Sequence, residues 1–147
     1  YKQRMKNIDF KNVPDNWALC FAQNCNLSKE CMRYIAGKSV SADLKTATTV
    51  LPQLQTKKGC AVFQKVKEER LAWGFTHIFD DVTHKQYLVM RKAMEEYLGS
   101  RFEYYRYHRG VRKLRAEQQA GICELFAYYG YAKDVVFDHY ETVPIFE

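Results

Sequence analysis

Four of the five cysteines fall within the first 60 residues of this 147-residue chain, and no other feature constrains its fold as strongly. Cys20, Cys25 and Cys31 follow a C-x4-C-x5-C spacing, and Cys60 lies 29 positions after Cys31. An odd total fits poorly with the even disulfide framework of a small secreted chain, whereas clustered thiols in a reducing compartment more often ligate metal. Four thiolates saturate a tetrahedral zinc ion and leave no open position, the structural rather than the catalytic arrangement. The expectation is therefore zinc held by Cys20, Cys25, Cys31 and Cys60. An iron–sulfur cluster takes the same number of ligands and is the alternative cofactor, with a thiol redox role for the same cysteines. Metal-free, buried thiols are the third reading.

The flanking sequence adds to the metal reading. Residues 1–26 read as irregular, with the turn cluster Asn12-Val13-Pro14-Asp15-Asn16. A stretch with so little core of its own gains most from a metal staple. Ser28 reads as the N-cap of a short helix over 29–36 with Gly37 just past its end, which puts Cys31 in the first turn, where free N–H groups favour a thiolate. Gly59 before Cys60 lets backbone approach an ion closely. Cys123 stands apart, beside Ile122 and Phe126 in a strongly helical pattern, and reads as a structural thiol with no base arranged to activate it.

Apolar residues at 47% and charged residues at 27% exclude a disordered chain, and the shortness of every apolar run excludes a membrane-spanning helix. The length predicts one compact domain over 1–147, with a cysteine-containing part at 1–63 and a helical part at 64–147. The chain starts at Tyr1 without an initiator Met, consistent with a segment removed ahead of it, and no signal-type apolar region follows. A cytoplasmic location is the expectation.

Thr46 to Leu51 is β-branched and stops at Pro52, a short strand. Leu71, Phe75, Ile78 and Phe79 share one helical face, which predicts a helix over 65–79, with Gly74 at its middle. Thr83 and Gln86 form a capping box for a second helix reaching Leu98 and closed by Gly99, with Tyr87, Met90, Met94 and Tyr97 as its stripe; the short joint predicts an antiparallel pair. Ser100 to Leu114 suits either a helix capped by Ser100 or a hairpin turning at Arg109-Gly110. Ile122, Leu125, Phe126 and Tyr129 mark a helix over 116–129 before Gly130, and 135–140 reads as a terminal strand. The expected class is α+β, mainly helical, with a short sheet or hairpin.

Residues 101–119 carry Arg101, Arg106, Arg109, Arg112, Lys113 and Arg115 against Glu103 and Glu117, a net +4 of the chain's +6. Phe102, Tyr104, Tyr105, Tyr107 and His108 interleave with these cations. Arginine forks on phosphate and tyrosine stacking on bases are what a single-stranded nucleic-acid surface needs, so Arg101, Tyr104, Tyr105, Arg106, Arg109, Arg112, Lys113 and Arg115 form a candidate surface for nucleic acid or an acidic protein. The competing reading has the tyrosines packed inward and the arginines paired with the acidic tail, Asp134, Asp138, Glu141 and Glu147 against Lys133. No phosphate loop, dinucleotide fingerprint, nucleophile elbow or metalloprotease motif occurs, and Lys57-Lys58-Gly59-Cys60 lacks the glycine spacing of a phosphate loop. Asp80-Asp81, Asp138-His139, His77 and His84 are adjacent or isolated groups, so no catalytic set is assigned.

The chain resembles an uncharacterised family of small bacterial proteins, a domain of unknown function. The resemblance rests on Cys20-Phe21 through Cys25 to Cys31-Met32-Arg33-Tyr34, on Cys60-Ala61-Val62-Phe63, on Tyr104-Tyr105-Arg106, Arg109-Gly110 and Gln118 or Gln119, and on Gly130-Tyr131 and Phe137-Asp138-His139-Tyr140. Such sequences often have Pro where this chain has Ala61, and Thr where it has Arg115. The second departure removes an expected N-cap. The resemblance implies no activity, cofactor or substrate.

Overall fold

A computed structural model describes residues 8–56, 59–132 and 134–146; Tyr1, Lys57, Lys58, Lys133 and Glu147, which entered the reading above, lie outside them. The class is α+β, with helices dominating two small sheets. The described residues gather into two compact units, one built from the chain up to Glu68 together with the residues from Pro144 onward, the other from Glu69 to Val143.

The first unit is mostly irregular. Its core is Ile8, Leu19, Met32, Ile35 and Ala36. A 3-10 turn at Ser28–Glu30 precedes α1, Met32–Lys38, so Cys31 is the N-cap residue and not the third residue of a helix opened by Ser28. The reason is tertiary pairing. Cys31 bridges Lys65 in antiparallel fashion, Met32 N–H reaches the Gln64 carbonyl at 2.7 Å and Val66 N–H the Glu30 carbonyl at 3.0 Å, which holds Cys31 extended. Gly37 lies inside α1, where a Cβ would stand 2.4 Å from the Cys20 carbonyl oxygen; it is there for close approach, not to stop the helix. The strand expected over 46–51 is reduced to one parallel bridge, Leu19 with Thr49, because the 18–20 segment offers only Leu19 as a partner. Strands β1, Gln55–Thr56, and β2, Gly59–Cys60, form a minimal antiparallel pair.

The second unit holds the regular structure. The helix predicted over 65–79 is instead strand β3, Glu68–Trp73, followed by a loop. β3 pairs with β4, His139–Pro144, on one edge. On the other edge Ala72 and Leu114 exchange backbone bonds at 3.1 and 2.7 Å. Flanking bonds from Ile145 N–H to Lys67 and from Asp138 N–H to Gly74 show that β3 and β4 run antiparallel. Gly74 (φ +88°) ends β3, and a side chain there would collide with the Asp138 carboxylate. Non-local pairing has overridden a local helical stripe, and with it goes the expected antiparallel helix pair. The terminal strand starts at His139, not 135, because Phe137 is buried in the core and Asp138 turns to cap Thr76.

The expected bounds of α2 hold: it spans His84–Leu98 with Thr83 at its N-cap and Gly99 at its C-cap; of the expected stripe Met90 and Met94 are buried, but Tyr97 is exposed and Leu98 takes its place in the core. Its capping box is replaced, however. The Tyr131 hydroxyl accepts from Thr83 N–H at 3.1 Å and donates to the Gln86 side chain. Residues 101–108 form helix α3, Arg101–His108, because the Ser100 hydroxyl accepts from Glu103 N–H at 3.1 Å and starts the helix locally. Helix α4, Ala116–Tyr128, buries Ile122 and Phe126. At its start Arg115 gives no capping acceptor. Instead the Glu69 carboxylate, on β3, accepts from Ala116 N–H at 3.0 Å and from Arg115 Nε, while the Gln118 side chain accepts from Arg115 N–H. Ala72, Phe75, Met90, Met94, Tyr104, Tyr107, Leu114, Ile122, Phe126 and Phe137 close this core. Among the described residues no helix is long and apolar enough to cross a membrane.

Candidate functional site

All five cysteines are free thiols; Cys31 is buried, and Cys20, Cys25, Cys60 and Cys123 are half-buried. The segments bearing Cys20, Cys31 and Cys60 are laced together by Arg33. Its side chain donates to the Val62 carbonyl at 2.9 Å and the Ala18 carbonyl at 3.0 Å, its own carbonyl accepts from Cys20 N–H, and its guanidinium lies 4.6 Å over the Trp17 ring. Cys25 stands at the head of a turn whose carbonyl accepts from Ser28 N–H. Among the described residues, no three His, Cys, Asp or Glu side chains are gathered where they would hold a metal ion.

The basic segment is largely neutralised. Arg106 and Arg112 both contact Glu103, at 3.2 and 2.7 Å, Lys113 pairs with Glu141, and Arg115 pairs with Glu69 at 3.1 Å. Although partial burial alone would raise the Glu103 pKa, its hydrogen bonds from Arg112 and Arg106 hold the carboxyl below the usual range. Tyr104 and Tyr107 are buried. Burial pushes the Tyr104 phenol up to about 12. The competing reading pairs the arginines with the acidic tail; Arg106, Arg112 and Arg115 instead contact Glu103 and Glu69, and the tail carboxylate of Glu141 pairs with Lys113, which that reading does not name. Arg101 and Arg109 make no ion pair among the described residues.

What remains of the segment joins a pocket. A cavity of about 560 Å³ in the second unit is lined by α2, α3 and the loop after β3. Its cation is Arg91, on α2 one residue off the buried stripe. Arg91 Nη1 donates to the Tyr87 hydroxyl at 2.9 Å and Nη2 to the Tyr105 hydroxyl at 2.6 Å, while Nε faces Glu95 at 3.5 Å. The guanidinium also lies 4.7 Å over the Tyr104 ring. Burial would make it easier to deprotonate, but the Tyr87 and Tyr105 hydrogen bonds outweigh that and raise its pKa. The hydrogen bond from Arg91, with help from Arg101, holds the Tyr105 phenol below its ordinary value.

Proton directions follow. A phenol that accepts from Arg91 keeps its own hydrogen for another acceptor, so Tyr87 and Tyr105 are donors towards the cavity they line. His108 Nδ1 accepts from Phe75 N–H at 3.0 Å, which leaves the neutral ring's hydrogen on Nε2. Phe75, Phe79 and Val82 supply apolar wall, and Thr76, Asp80 and His84 complete the lining. Asp80 is joined to His77 Nδ1 at 3.0 Å on the exposed side. The loop is held by Asp138, which accepts from both the backbone and the hydroxyl of Thr76; these bonds outweigh its partial burial and lower its pKa.

Of the residues expected to bind a polyanion, Tyr104 and Tyr105 line this cavity, while Arg101, Arg106, Arg109, Arg112, Lys113 and Arg115 do not. Arg91 went unread in the sequence. Its signal is the spacing Tyr87, Arg91, Glu95, three polar-tipped residues four apart on one flank of an apolar stripe.

Fold and pocket together define an α+β protein with a preformed, arginine-centred cavity. The chain belongs to the family of unknown function DUF6078, whose model matches residues 3–143. No curated protein and no solved structure matches it.

Proposed function

We propose that the protein is a binding domain that takes a carboxylate or phosphate group at Arg91. One observation carries this reading: both terminal nitrogens of Arg91 are held by tyrosine hydroxyls, not by carboxylates, inside a cavity. A guanidinium so held keeps its charge and its geometry, and the two phenols extend its donor set. The oxyanion belongs to a free acid, an acidic protein or a nucleic acid. Calorimetric titration with acetate, inorganic phosphate and a short single-stranded DNA over a range of salt concentration separates them. Loss of binding in Arg91→Gln, with Arg106→Ala/Arg109→Ala unaffected, supports the pocket. The reverse pattern moves binding to the α3 surface, and insensitivity to both variants removes anion binding.

Zinc at Cys20, Cys25, Cys31 and Cys60, or an iron–sulfur cluster there, is a second reading for the first unit. It is favoured by the backbone and Arg33 bonds that lace together the segments of Cys20, Cys31 and Cys60. Elemental analysis of protein purified without oxygen tests it: one equivalent of zinc in colourless protein supports zinc, brown colour with iron supports the cluster, and neither metal with freely titrating thiols rejects both.

A further inference from the structure

Resting on that reading of Arg91, we infer that the pocket's ligand class is a small monocarboxylic acid with an aromatic or similarly flat apolar body, and not a phosphodianion or a nucleic acid.

The first argument is charge. Arg91 already faces the Glu95 carboxylate at 3.5 Å, with both side chains mostly buried, so its positive charge is partly spent within the fold. Among the described lining residues the only other formally charged group is Asp80, an anion. One guanidinium so balanced suits a single negative charge; a second charge would share the cavity with Asp80 and would find its further cation in Arg101, which hydrogen-bonds the Tyr105 hydroxyl without lining the cavity. Of the segment's cations, Arg106, Arg112, Lys113 and Arg115 are held by Glu103, Glu141 and Glu69, and neither Arg101 nor Arg109 lines the cavity.

The second argument is shape. Phe79 meets Tyr87 edge-on at 5.2 Å and stacks on Phe126 at 5.5 Å, and Phe75 packs on Tyr104 at 4.9 Å, so the apolar wall is fixed by the core behind it. This wall shares the cavity with the Arg91, Tyr87 and Tyr105 donors. A ligand that satisfies both ends carries a carboxylate at one and a ring at the other. A site that sets fixed polar donors beside one apolar wall orients a ligand that carries both kinds of surface.

The test is equilibrium titration of the full chain with 3-phenylpropionate, phenyl phosphate, acetate and inorganic phosphate. The expected result is that 3-phenylpropionate binds about tenfold or more tighter than acetate, and tighter than phenyl phosphate. Phe79→Ala weakens 3-phenylpropionate by a several-fold larger factor than it weakens acetate. Arg91→Lys weakens both acids about tenfold. Should Arg91→Lys fail to fold, Tyr105→Phe, which removes one donor and little volume, is expected to weaken both acids about threefold or more. If 3-phenylpropionate binds no tighter than acetate, or phenyl phosphate binds tightest, the inference is overturned while the oxyanion reading stands. If no oxyanion responds to residue 91 or 105, both fall.

Discussion

The two units solve the burial problem in different ways. The second closes eleven buried side chains, from three helices, a strand and the segments joining them, around one core, and that core is large enough to support a polar cavity on its flank. The first has a buried apolar cluster of five residues, little regular structure, and a single arginine tying three stretches of chain through carbonyl oxygens. Chain of this kind holds its shape by pinning backbone rather than by stacking faces. The lesson is that the half richer in aromatic side chains becomes a site-bearing scaffold, and the cysteine-bearing half a clamp-dependent fold.

The sharpest test uses one residue type in both cores. Met94 and Met32 are each fully buried. Truncation to Ala costs about 2–5 kcal/mol, with the value set by how far neighbours collapse into the hole. Met94→Ala is expected near the top of that range and Met32→Ala near the bottom, because a five-residue core relaxes more easily. Equal losses in urea unfolding break the comparison.

The next largest effect concerns the thiols. With metal in the first unit, Cys25→Ser lowers the melting temperature far more than Cys123→Ser, on the order of 3 kcal/mol against about 1. Equal shifts contradict the four-cysteine assignment. Tyr104 follows. Its folded pKa lies above the unfolded value, so the stability it contributes is fully present below about pH 10 and is lost as pH rises from there to about 12. The loss amounts to up to about 2 kcal/mol. Tyr104→Phe should flatten this alkaline limb, and an unchanged limb would assign it to other groups.

How much of this was legible in the sequence depends on the distance between partners. α2 and α4 were readable because their stripes and glycine stops lie within one stretch of chain. α3 became decidable only through the Ser100 hydroxyl on Glu103 N–H, a local bond that the hairpin alternative masked. β3 was misread because Leu71, Phe75, Ile78 and Phe79 mimic a helical face, whereas what fixes the strand is Leu114 and β4, more than forty residues downstream. The cysteines were visible as residues, but spacing carries no distances. The pocket was half legible: Tyr104 and Tyr105 stood out for their charge context, whereas Arg91 hid beside Met90, and the Phe75 and Phe79 wall lies on a loop read as helix.

Two smaller effects complete the series. Arg33→Lys keeps the charge but loses the fork that spans Ala18 and Val62, and is expected to cost about 1–2 kcal/mol and to speed proteolysis within the first unit. Cleavage at the wild-type rate would show that the clamp is dispensable. Arg112→Ala, at an exposed pair with Glu103, should cost less than about 1 kcal/mol, and less still in high salt.

Glu69 ties two elements together. A helix that carries its own acceptor at the N-terminus is stabilised there by its own stretch of chain. The first turn of α4 instead takes an acceptor from 47 positions upstream, on β3. Docking of β3 and capping of α4 therefore stabilise each other, and the best-patterned helix in the chain depends for its start on the strand the sequence disguised.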